Sequence, residues 1–194
     1  MQWKDLFLQR YATLRDFYLT SFWETIPYPL MRQRPHPRVN SIAWNLWHIA
    51  RAEDVAVNRF LFDQTQVLDE GNWMARMNLP WRHHGGGMTF AEVDELSQRI
   101  DLESLRAYAQ AVSARTLEAV ERLSPAALAE TLSEAQVRRV VVDEGLAHTD
   151  LEGYVANYTG WSKGKTLMTL ALTHPYQHIG EMGVIASLLG VEFD

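Results

Sequence analysis

The sequence predicts an all-α protein built as a four-helix bundle, and two observations support this fold class. Four long segments carry apolar residues at three- and four-residue spacing, which is the period of an amphipathic helix packed on a core. The connections between them are rich in proline and glycine, which end helices. With 194 residues, 47% of them hydrophobic, the chain is long enough to bury one core, and we expect a single domain over residues 1–194.

The four predicted helices have recognisable ends. The first is followed by IPYPLMRQRPHPR, in which four prolines among thirteen residues prevent its continuation. Asn40 or Ser41 can cap the second helix, and Ser162 can cap the fourth. In chain order, the predicted long helices are Trp3–Trp23, Ser41–Phe62, Leu102–Leu123 and Lys165–Leu189.

The connections are long, so we expect at least one pair of helices to be joined by a crossover. The pattern TFAE at Thr89 to Glu92 is a capping box and predicts a short helix from Phe90 to Arg99. Residues 137–164 are the hardest to interpret. Their first part, within RRVVVDEG, contains three valines that weakly favour a short strand or extended edge.

Composition excludes several classes of function. The formal charge of -6 argues against broad binding to the phosphate backbone of nucleic acids. The absence of cysteine excludes disulfides, thiolate metal sites and cysteine nucleophiles. The N-terminus lacks the apolar block of a signal peptide, and no uncharged apolar run reaches the roughly 18 residues of a membrane span. We therefore expect a cytoplasmic protein that binds neither nucleic acid nor membrane.

Three histidines form the strongest functional pattern. His174 and His178 are one helical turn apart, so they leave the same face and can bind one metal ion. Pro175 either distorts this helix or marks its beginning, and a beginning there would weaken the same-face argument. His48, in the middle of the apolar second helix, is the best third ligand. The alternative interpretation is that these are ordinary core or surface histidines.

The segments SIAWNLWHIARAEDVAVNRFL and LALTHPYQHIGEMGVIASLLG resemble the DinB-like superfamily of bacterial metal-binding four-helix bundles. The resemblance implies one divalent metal held by a histidine of the second helix and a His-x-x-x-His pair of the last long helix. The matching positions are His48, His174 and His178. A Gly-Gln-Ile-like step typically follows the pair, whereas residues 179–182 read IGEM here.

Three imidazoles suit zinc, nickel, iron or copper, and we expect zinc or nickel, with iron as the next choice. The resemblance implies a metal-dependent enzyme acting on a small molecule. The reaction would be hydrolysis, or transfer with a low-molecular-weight thiol, as in mycothiol-dependent maleylpyruvate isomerase. The alternative is a non-catalytic metal- or ligand-binding module of a stress response. Apolar helical faces left outside a single bundle also favour a homodimer.

Carboxylates near the histidines are weaker candidates. Glu181 lies on the face of the histidine pair, where it can act as a catalytic base, orient an imidazole or pair with Arg51. Glu53 lies about 140° around the helix from His48, which favours a salt-bridged or solvated carboxylate over a role at the metal.

A further pair, His83 and His84, precedes three glycines. We expect an exposed pair on a flexible loop, and the alternative is a loop that closes over the metal site.

Overall fold

The computed structural model describes residues 2–192, and within them the only β pairing is one isolated antiparallel bridge, Thr131–Ser162. The predicted all-α fold class is therefore confirmed. Three of the four long helices contain π-helical turns, which widen them locally. Their segments are Trp3–Ala12, Thr13–Leu19 and Thr20–Thr25; Ile42–Asp54 and Val55–Leu61; Leu102–Arg122; and Lys163–Met168, Thr169–Thr173 and His174–Leu188.

The first and second long helices each pack against both the third and the fourth. Three of these four packings, namely first with third, first with fourth and second with fourth, join helices that are not consecutive in the chain, whereas the second and third are consecutive. Large aromatic side chains fill the centre. Tyr11 of the first helix, Trp47 of the second and Tyr108 of the third are each fully buried.

Side-chain caps mark the helix starts where the sequence predicted them. Ser41 accepts a hydrogen bond from the Trp44 amide at 2.9 Å, and Ser162 accepts one from the Lys165 amide at 3.0 Å. Thr89 forms the predicted capping box. The shorter helical segments are Tyr28–Met31, Val67–Glu70, Trp73–Arg76, Phe90–Arg99, Pro125–Ala129, Glu134–Arg138, the π-helical Arg139–Asp143, and Leu151–Tyr158.

The valine-rich segment is helical, so the prediction of a strand or extended edge there was wrong. Val137, Val140 and Val141 are buried, and their spacing places them on one face of a helix. Ser133 caps its start by accepting from the Gln136 amide at 3.2 Å. Burial at helical spacing outweighs the weak β preference of valine.

The fourth long helix runs continuously through Pro175. A π-helical turn, Thr169–Thr173, directly precedes the α-helical segment that begins at His174, and Lys163 lies more than two turns earlier. Such a turn is a common way to accommodate a local break in the backbone hydrogen bonds. His174 and His178 therefore lie within one helix and keep their one-turn spacing.

A buried ionic network joins the second helix to the connection that follows it. Arg51 and Asp54 form a salt bridge of 3.1 Å with side chains 1% and 0% exposed. Arg51 also donates to the carbonyl oxygen of Arg82 at 2.7 Å and to the side chain of Gln66 at 2.9 Å. Tyr108 donates to the Asp54 carboxylate at 2.6 Å. Each charge is thus surrounded by hydrogen bonds, as buried charges require.

Replacement of Arg51 by leucine should destabilise the fold by about 3–5 kcal/mol, because Asp54 would remain as an uncompensated buried charge. Urea denaturation measures this change. Arg99→Met is the matched control, since the Arg99–Glu95 pair is exposed, and it should cost less than about 1 kcal/mol. Equal effects of the two substitutions would contradict the assignment.

Candidate metal centre

His48 of the second long helix meets His174 and His178 of the fourth, and these three residues are called the histidine cluster below. One ring nitrogen from each lies within 4.8 Å of the others, which is a group suited to a metal ion. The Nε2 atom of His174 is 3.0 Å from Nε2 of His48 and 3.0 Å from Nε2 of His178. Nitrogens that share one ion at about 2.0–2.1 Å are separated by roughly 3 Å, so these two separations fit a shared ion.

Hydrogen bonds to the other ring nitrogens orient two of these imidazoles. His48 donates from Nδ1 to the backbone carbonyl of His84. Nδ1 of His178 donates to the Glu181 carboxylate at 2.8 Å. The same Nδ1 atom lies 2.7 Å from Oδ1 of Asn45. With the protons on Nδ1, both Nε2 lone pairs face the cluster, as metal ligands require.

The three facing Nε2 atoms offer more hydrogen-bond acceptors than protons. Nε2 of His174 carries at most one proton in the neutral ring, yet it faces the lone pairs of both neighbours. A cation at the centre would satisfy all three nitrogens. No hydrogen bond orients the ring of His174 from its far side, because its Nδ1 is buried and has no hydrogen-bond partner among residues 2–192.

Burial keeps the cluster neutral. Desolvation lowers the pKa of His48 far below its ordinary value and lowers the pKa of His174 to about 4. Burial also lowers the pKa of His178, although Glu181 acts in the opposite direction. Metal binding requires neutral imidazole, so the rings are in the required form at neutral pH.

Trp44 covers one side of the cluster. Its ring stacks on His48 with centroids 4.5 Å apart and planes 12° from parallel. Trp44 lies one helical turn before His48, so the same helix supplies both the candidate ligand and the apolar wall beside it.

The prediction that His83 and His84 are solvent-exposed was wrong. Both are buried, with 8% and 4% of their surface exposed. The His84 amide donates to the carbonyl of Leu146 at 3.0 Å, which holds the loop where its own carbonyl meets His48. Burial lowers the pKa of His84 to about 3 and that of His83 to about 4. The loop therefore packs over the cluster through two contacts with His48: the carbonyl of His84 accepts its hydrogen bond, and the ring of His84 lies edge-on to its ring with centroids 5.3 Å apart.

Glycine permits this close packing. Gly85 has a φ of +91°, and a Cβ there would lie 2.5 Å from the ring of Trp47 and 3.1 Å from Nε1 of Trp44. A Cβ at Gly86 would lie 2.2 Å from the hydroxyl of Tyr154. The three glycines predict a flexible loop, and in the structure Gly85 is the one that lets the loop reach the two tryptophans.

Two carboxylates have different surroundings. Glu181 is 55% exposed and contacts His178, so it is placed to orient that imidazole. Its predicted pairing with Arg51 does not occur, because Arg51 binds Asp54. Glu53 is fully buried and accepts hydrogen bonds from Tyr11 and, at 2.7 Å, from Thr116. These contacts agree with the interpretation of Glu53 as a structural carboxylate.

The fold and the histidine cluster define a class of protein: an all-α bundle in which the second and fourth helices create a candidate metal centre. The chain belongs to the DinB superfamily, whose family model matches residues 17–182.

A crystal structure described as the conserved protein of a locus from Enterococcus faecalis has the same fold, with a TM-score of 0.72. The alignment covers 98% of this chain and 99% of that chain at 14% sequence identity, so it supports the fold alone. No curated protein matches this chain. Among the described residues, no helix has the length and apolar character needed to cross a membrane.

The Gly85→Ala variant should displace the loop that accepts the His48 hydrogen bond, because the new methyl group would overlap Trp47 and the backbone angle is strained. We expect a loss of about 1–3 kcal/mol in stability. The matched control is Gly183→Ala. A Cβ at this position would meet no neighbouring atom within 4 Å, and the higher helix propensity of alanine should raise the stability by about 1 kcal/mol. Thermal denaturation of both variants tests this, and a neutral Gly85→Ala would contradict it.

Proposed function

We propose that this protein is a divalent-metal-dependent enzyme that acts on a small molecule through His48, His174 and His178. The single observation that carries the proposal is the convergence of three Nε2 atoms, with two separations of 3.0 Å. Zinc or nickel is the proposed metal and iron the next choice, since an all-imidazole donor set suits each of them.

A bound ion would supply Lewis-acid chemistry, either by lowering the pKa of water or by holding a thiolate. The residues of the chain would hold the ion and orient the imidazoles that bind it. The carbonyl of His84 fixes the tautomer of His48. Glu181 accepts a hydrogen bond from Nδ1 of His178, which increases the basicity of Nε2 in that ring. Three protein ligands leave further coordination positions for a small molecule, as in catalytic metal sites.

The resemblance to the DinB-like superfamily implies two reaction types, hydrolysis and transfer with a low-molecular-weight thiol. The sequence has no cysteine, so a thiol nucleophile would have to come from a low-molecular-weight cofactor. Hydrolysis needs only water. Glu181, exposed and next to the cluster, is the proposed candidate for a base, in addition to its role in orienting His178.

The variants His48→Ala and His174→Ala should each abolish stoichiometric metal binding while the fold survives, because each removes one of three ligands. Elemental analysis and circular dichroism measure the two properties. His36→Ala is the matched control, since His36 is exposed and lies outside the cluster, and it should bind metal as the wild type does. Full occupancy in the His48 or His174 variant would remove that residue from the site.

Catalysis is tested with panels of hydrolase and thiol-transferase substrates, with and without a chelator. We expect turnover that disappears with the chelator and returns when the metal is restored. A protein that binds metal but turns over none of these substrates would support the alternative, a non-catalytic binding module of a stress response. The cytoplasmic location and the homodimer stay predictions.

A further inference from the structure

A cavity lies beside the second helix, apart from the histidine cluster. It has a volume of about 320 Å³ and is open between the first and third long helices, with Leu46 and Ile49 of the second helix also lining it. None of the three clustered histidines lines it. The remaining apolar wall is formed by Leu19, Trp23, Ala109, Ala114 and Leu117.

Arg15 places a positive charge against this apolar wall. Its side chain is 12% exposed, and it donates from Nε to the Ser113 hydroxyl at 3.1 Å and from Nη2 to the Ala109 carbonyl at 2.9 Å. Its other amino group, Nη1, has no hydrogen-bond partner among residues 2–192. Arg15 therefore retains donor capacity in a largely buried position.

The nearest buried carboxylate does not use that capacity. Oε2 of Glu53 is 3.6 Å from Nη2 of Arg15, which is too far for a hydrogen bond. Glu53 takes its hydrogen bonds from Tyr11 and Thr116, through the other carboxylate oxygen. Arg15 and Glu53 thus form a salt bridge without a direct hydrogen bond, which leaves Nη1 of Arg15 able to donate to a ligand.

Arg106 adds a second guanidinium to the lining. It is 33% exposed, and Glu24 lies 3.8 Å away with a side chain that is 63% exposed. Asp16, the carboxylate among the lining residues, is exposed at the rim. The lining therefore combines two guanidinium groups with apolar and neutral polar side chains. The buried Glu53 is not part of the lining.

We propose that this cavity binds a small amphipathic carboxylate. The carboxylate would accept hydrogen bonds from Arg15 and Arg106, and the apolar body would pack against Leu19, Ile49 and Leu117. Guanidinium groups match the geometry of a carboxylate, and ligand cavities begin at about 300 Å³. The site is separate from the histidine cluster and does not depend on the proposed metal chemistry.

Three probes of equal length test the class of ligand: hexanoate, hexylammonium and 1-hexanol. Titration of the purified protein, followed by calorimetry or by NMR chemical shifts, should show hexanoate binding at least about tenfold more tightly than the other two. Equal affinity for the three probes, a preference for hexylammonium, or no binding of hexanoate would overturn the proposal.

Variants locate the site. Ala114→Trp should abolish hexanoate binding, because Ala114 is exposed on the cavity wall and a tryptophan there fills the space. Arg106→Met should weaken it about tenfold. Ala91→Trp is the matched control, since Ala91 is also exposed on a helix but does not line the cavity, and its affinity should be unchanged. Unchanged affinity in Ala114→Trp would overturn the assignment.

Carboxylates also bind metal ions, so the titration is repeated in His174→Ala. Hexanoate affinity should be the same there as in the wild type. A loss of binding in that variant would assign the hexanoate to the histidine cluster and overturn the second site. Failure of the metal proposal alone would leave this result unaffected.

Discussion

The close packing of the second and fourth long helices is the constraint on which the site depends. It brings three imidazoles, of which His48 is buried, so near that two pairs of Nε2 atoms lie 3.0 Å apart. Neighbouring hydrogen bonds keep protons on the far side of two of the rings, and burial disfavours the charged forms. The Nε2 lone pairs that face one another repel each other. A cation at the centre would be attracted to all three of them and would remove this repulsion.

The second helix organises the whole molecule because every residue of Ile42–Asp54 is buried. Its polar side chains point in different directions and each finds a separate partner. Asn45 contacts His178, and His48 donates to the carbonyl of His84. Arg51 donates to the carbonyl of Arg82, which lies two residues earlier in the same loop. The ionic network of the core thereby fixes the loop that orients a candidate ligand.

The sequence predicts much of this arrangement because the relevant signals are local. The spacing of His174 and His178 follows from helical geometry, and caps such as Ser162 mark helix starts. The contribution of His84 could not be predicted, since a backbone carbonyl carries no residue-specific signal and its position depends on the path of a long loop. The clue was the triple glycine, which indicates close backbone approach as well as flexibility.

Local preference was also misleading in one place. The valines near residue 140 favour a strand only weakly, and contacts with distant parts of the core decide their conformation. The spacing of the valines nevertheless indicates a helix, because Val137, Val140 and Val141 lie on one helical face. Periodicity was thus the more reliable signal than residue type.

X-ray absorption spectroscopy of the metal-loaded protein tests the central claim most directly, because it reports the atoms bound to the ion. Convergence of three imidazoles predicts nitrogen scatterers at about 2.0–2.1 Å with the multiple-scattering pattern of histidine rings. An ion bound only by oxygen ligands, without that pattern, would show that the three histidines do not form the metal centre.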